Sequence, residues 1–138
     1  MAFLLDTNVF SEIRRERPDP NVDRWFASVV DDDVYLSVLV AGEIRQGVER
    51  LRRRDPQRAE VYELWLTELL VRYAERTAVI DAEVAEQWGR LNASRPLPVV
   101  DGLLAATAIV RGWTLVTRNV RDVAGTGVMC LDPFLPAA

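Results

Sequence analysis

Residues 2–5 form a short apolar run, and Asp6-Thr7-Asn8 ends it with three turn-forming side chains. That is the pattern of a buried strand stopped by a turn. A second β-branched, apolar run covers 34–38, after the acidic turn Asp31-Asp32-Asp33, and shorter runs follow at 77–80, 113–117 and 128–131. Between them the apolar positions recur at helical spacing, over 9–15, 21–30, 39–54, 57–73, 82–93 and 99–111. In the fourth of these helices Val61, Leu64, Trp65 and Leu69 fall on one side. In the fifth, Val84, Trp88 and Leu91 share a face behind Asp81, a suitable N-cap. The last is rich in small residues and closes at Gly112, a good residue for a helix C-terminus. Strands separated by helices of ten or more residues predict a parallel α/β sheet covered on both faces. The four Trp residues are expected in its core. No repeat or long linker divides the chain, so residues 1–138 are expected to form a single domain.

Composition narrows the chemistry. All 17 basic residues are Arg; Lys and His do not occur, and Cys130 is the only cysteine. Without His there is no Ser-His-Asp or Cys-His relay and no imidazole metal ligand. Without Lys there is no Schiff base, and no Walker A loop, whose lysine contacts phosphates. One thiol excludes an intrachain disulfide and fits a reducing compartment. Within the run 128–131, Cys130 is expected as a small core residue. No targeting segment or bilayer-length apolar stretch is visible, so a cytoplasmic protein without membrane contact is expected. Net charge is −4, which does not attract nucleic acid globally, yet Arg14, Arg15 and Arg17 cluster, as do six Arg between 45 and 58. These groups read either as solvated helix faces or as contacts to phosphate or an acidic partner.

What remains for catalysis is carboxylate. Most acidic residues suit solvent-facing helix positions, but three do not. Asp6 ends an apolar strand, Glu43 lies in Val40-Ala41-Gly42-Glu43-Ile44 just beyond the second strand, and Asp101 opens an apolar helix. Each would be costly to bury alone. In an open parallel sheet, ligands bind beyond the carboxyl ends of the strands. Asp6 and the turn Arg118-Asn119-Val120-Arg121-Asp122 both occupy such ends, and Glu43 and Asp101 can reach the same rim. Converging carboxylates repel unless a cation neutralises them, and Mg²⁺ or Mn²⁺ suits oxygen donors. Metal-assisted phosphodiester hydrolysis is one reading. Helix caps and ion pairs are the other, with Asp101 serving a helix dipole alone. A phosphoaspartate enzyme also uses a strand-end Asp but needs a lysine that this chain lacks.

Four segments then carry a resemblance: Leu4-Leu5-Asp6-Thr7-Asn8-Val9, Glu43-Ile44-Arg45-Gln46-Gly47, the stretch from Asp101-Gly102-Leu103-Leu104 to Ala108, and Val116-Thr117-Arg118-Asn119-Val120-Arg121-Asp122. In this order they resemble the PIN-domain ribonucleases, and more narrowly the VapC-type toxins of toxin–antitoxin pairs. The resemblance implies a three-layer α/β/α sandwich around a central, mostly parallel five-stranded sheet. It implies Mg²⁺- or Mn²⁺-dependent endonucleolytic cleavage of RNA, neutralisation by a cognate VapB-type antitoxin, and homodimers within larger toxin–antitoxin assemblies. It makes Asp6 and Asp101 the principal metal ligands, with Glu43 completing the acidic cluster as a ligand or by placing water. Thr7, Asn8 and Thr117 would support them, and Arg14, Arg15, Arg45 and Arg118 are candidate contacts to RNA phosphates. The family's fourth acid falls at Asn119, an amide here, with Asp122 three residues on as a substitute. That departure leaves open a second reading, a PIN-fold RNA-binding protein with little hydrolytic activity.

Overall fold

A computed structural model describes residues 1–137. Five strands, β1 (Phe3–Leu5), β2 (Val34–Ser37), β3 (Thr77–Ala78), β4 (Thr114–Val116) and β5 (Cys130–Leu131), form one sheet in the order β3-β2-β1-β4-β5. Every pairing is parallel. The six helices are α1 (Thr7–Ile13), α2 (Pro20–Ala27), α3 (Val38–Arg52), α4 (Pro56–Arg72), α5 (Ala82–Ser94) and α6 (Val99–Arg111).

The central strands are buried along almost their whole length because helices cover both faces. Leu4, Leu5, Leu36 and Val116 are completely buried. The crossover from β2 to β3 runs through α3 and α4, and the one from β3 to β4 through α5 and α6. They travel in opposite directions across the sheet, so right-handed connection places them on opposite faces. Strand order reverses between β1 and β4, which opens a crevice beyond the carboxyl ends of those two strands.

Helix starts follow local capping chemistry. Asp19, Ser37, Asp55 and Asp81 each accept a backbone N–H in the first turn of the helix that follows. Gly112 ends α6 at φ +74°, a left-handed conformation that glycine adopts without steric cost. The first helix begins at Thr7, two residues earlier than its apolar spacing suggests, since Asp6 caps it and leaves no intervening turn.

Three expectations are corrected. Cys130 is exposed, not a core residue, because β5 is a two-residue edge strand with a neighbour on one side only. The four Trp residues are half-buried. Trp25 meets Phe3 edge-on and Trp113 stacks on Tyr35 at 4.1 Å, so the rings roof the core and do not fill it. On α4, Val61 and Leu64 face outward, and the buried residues are Ala59, Leu66 and Leu69. Among the described residues no helix is long and apolar enough to cross a membrane.

Candidate active site

The residue that ends β1 organises the crevice. Asp6 is buried, with 5% of its surface exposed, and its two carboxylate oxygens have different partners. Oδ1 accepts the Thr7 backbone N–H at 2.7 Å, capping α1. Oδ2 accepts the Thr117 hydroxyl at 2.7 Å and the Asn8 amide at 3.3 Å. The backbone N–H of Asp6 donates to the Val116 carbonyl, so β1 and β4 hand over to the site side by side.

The hydrogen bonds continue outward. Thr7 donates its hydroxyl to Glu43 Oε1 at 2.6 Å, which fixes the second carboxylate from the second turn of α3. Asn8 accepts the Arg118 backbone N–H at 3.3 Å, and the Thr117 hydroxyl accepts that of Asn119 at 3.0 Å. The loop after β4 is thus tied to the junction of β1 and α1 by three side chains.

Asp101 approaches from the first turn of α6. Asp6, Thr7, Asn8, Glu43, Asp101 and Asn119 line one open cleft of about 560 Å³, whose remaining wall is Pro98, Val99 and Val100. Burial pushes the Asp101 carboxyl up to about 6, and the charges of Asp6, Asp122 and Glu43 add to the effect. Asp122 sits in a turn of 3-10 helix and does not line the cleft, but it acts on Asp101.

The chain therefore brings Asp6, Glu43, Asp101 and Asn119 to one place, with Thr7, Asn8 and Thr117 bonded among them. It separates the candidate arginines. Arg118 stands beside Asn119. Arg45 is tied into α3–α4 by Glu49 and Glu63, Arg15 pairs with Glu12, and Arg14 lies over the rings of Tyr62 and Trp65. The apolar wall from Pro98 to Val100 is the part of the cleft that no sequence motif marks. Its signal was present in the proline ahead of an acid-bearing helix start.

The donor set suits a hard divalent cation. It consists of carboxylate and amide oxygens with the Thr7 hydroxyl beside them, and burial, reinforced by the neighbouring carboxylate charges, raises the Asp101 pKa. Among the described residues no three acidic or thiol groups are already gathered as a complete ligand set. Mg²⁺ does not require one, as it commonly takes one or two carboxylates and keeps several waters.

A family model for the PIN domain matches residues 3–124, a span that contains every residue of this cleft. The chain belongs to the PIN-domain family. Its PIN-domain relatives include the toxin FitB of Neisseria gonorrhoeae, 30% identical over 95% of this chain and 97% of that protein. The VapC ribonuclease Y4jK of Sinorhizobium fredii is 28% identical over 97% of this chain and 99% of its own. Among solved structures, FitAcB from Neisseria gonorrhoeae superposes with a TM-score of 0.87 at 30% identity, covering 96% of this chain and 98% of that one. The parallel five-stranded sheet is the PIN fold.

Proposed function

We propose that this PIN-domain protein is the toxin of a type II toxin–antitoxin pair, a metal-dependent endoribonuclease held inactive by a cognate VapB-type antitoxin. The observation that carries the reading is the convergence of Asp6, Glu43 and Asp101 on one cleft at the sheet's switch point. The names of its relatives, a toxin and a VapC ribonuclease, support it.

In this reading Asp6 and Asp101 hold the Mg²⁺ or Mn²⁺ ion, and Glu43 completes the cluster. A bound ion would supply a water of lowered pKa and positive charge beside the scissile phosphate. Thr117 and Asn8 fix the Asp6 oxygen that faces away from the helix cap. Thr7 holds Glu43 in reach of the cleft. Asn119 offers an amide oxygen where a carboxylate would add charge, and Asp122 keeps negative charge near Asp101. The cleft then carries one charge fewer than a full acidic quartet, which favours one tightly held ion over two. The protein works in the cytoplasm, where RNA and the antitoxin are found.

The test compares wild type with Asp6→Asn on structured RNA in Mn²⁺. Asparagine keeps an acceptor for the α1 cap but loses the charge. Cleavage by wild type alone is the expected result. Equal cleavage by both would end the nuclease assignment at this site. Binding without cleavage by wild type would favour the RNA-binding reading.

A further inference from the structure

Several arginines are engaged in ion pairs within the molecule. Arg15, Arg45 and Arg52 pair with glutamates, and Arg72 and Arg76 pair with Asp31. Arg118 differs. It is exposed, follows Thr117 at the mouth of the cleft, and makes no ion pair among the described residues. Its guanidinium lies 4.1 Å from the centre of the Phe134 ring. Phe134 is itself anchored: its carbonyl accepts the Asn21 side-chain amide at 2.9 Å, and its N–H donates to Asp132 Oδ1 at 2.9 Å. The backbone of Arg118 is held by Asn8. Both ends of the contact are therefore fixed, one by the C-terminal segment and one by the site itself.

We infer that Phe134 is a positioning residue, which holds the Arg118 guanidinium at the rim of the acidic cleft as a preset contact for a backbone phosphate of single-stranded RNA. This rests on the ribonuclease reading for the identity of the ligand. An unheld arginine beside several carboxylates would fold onto them and cancel the charge it should offer to a phosphate. A ring face attracts the cation without neutralising it. The planar guanidinium leaves its N–H fork free for two phosphate oxygens.

The experiment is a double-mutant cycle on binding of a 20-nucleotide single-stranded RNA, in EDTA so that no cleavage occurs. Arg118→Ala should weaken binding and make the salt dependence shallower by about 0.7 in the log–log slope, one phosphate contact on a single strand. Phe134→Ala should weaken binding roughly two- to five-fold while leaving the slope unchanged, because the charge remains. It should have no effect in the Arg118→Ala background, and Phe134→Trp should restore wild-type affinity. Additive effects, an unchanged slope for Arg118→Ala, or no RNA binding by wild type would overturn the inference. Cleavage in Mn²⁺ is scored separately, so loss of the nuclease reading and loss of this contact are distinguishable.

Discussion

Asp6 performs two tasks with one carboxylate, and they separate experimentally. Its Oδ1 caps α1 while Oδ2 faces Thr117. Replacing the cap with alanine costs about 1 kcal/mol, whereas asparagine retains an acceptor and costs less. Asp6→Ala should thus lower the urea midpoint and abolish cleavage, and Asp6→Asn should abolish cleavage with the smaller loss of stability. Thermal or urea unfolding beside an RNA assay checks both. Asp101 makes a pH prediction. Its folded pKa of about 6 lies above the usual carboxyl value, so between roughly pH 4 and 6 the folded state binds a proton that the unfolded chain has released. Stability without divalent ions therefore falls as pH rises through that window. Asp101→Asn removes the cost of burying a charge and the repulsion around it, so in EDTA it should raise the urea midpoint at pH 8, with a smaller gain at pH 5. Unfolding curves at the two pH values decide this. If the midpoint of Asp101→Asn matches wild type at pH 8, the charges around the cleft are not crowded as described.

At the level of elements, the position of Asp101 depends on how α6 packs against α5. Gly102 is buried, and a β-carbon there would lie 3.3 Å from Leu97 Cβ and from Trp88 Cδ1 and Nε1. Among the described residues the Trp88 indole N–H is also buried without a partner, a sign of how closely the two helices approach. Gly102→Val should destabilise the domain by about 1–3 kcal/mol through overpacking. Since the strain falls on the turn that carries Asp101, cleavage should fall further than the folded fraction accounts for. Comparing specific activity with the fraction folded by circular dichroism checks the claim. The α3–α4 hairpin is held differently. Glu63 receives both Arg45 and Arg52, and Arg52 also reaches Glu60. These pairs are solvated, so Glu63→Gln should lower stability at low salt, and the difference should shrink near about 1 M salt.

Over the whole molecule, a net charge of −4 leaves RNA contact to local chemistry. Of the arginine runs that suggested a basic surface, Arg15, Arg45 and Arg52 are bound to glutamates in the fold, and Arg14 and Arg58 lie over the Tyr62 ring. The exposed Cys130 offers a simple check on the sheet edge. It should be modified by a thiol reagent in the native state, slowly near pH 7 because partial burial raises its pKa, and faster in mild alkali. A thiol that reacts only after unfolding would contradict an exposed β5.

The sequence by itself determined the strand–helix alternation, the caps at Asp81 and Gly112, and the identity of the acids. These depend on periodicity and on side chains that bond to their own backbone, both local properties. Asp6 and Asp101 were conspicuous because a carboxylate beside an apolar run is costly to bury alone. Only the tertiary structure decided which groups meet. The bond from Thr7 to Glu43 crosses 36 residues and that from Thr117 to Asp6 crosses 111, distances over which no local rule operates. Surface position was likewise invisible: Cys130, Val61 and Leu64 fit an apolar pattern, and only the edge of a sheet or the outer side of a helix left them exposed. Arg118 and Phe134 are the same case in charge. An arginine's sequence neighbours do not say whether it ends against a glutamate or above a ring, because its long side chain samples whatever the fold brings near.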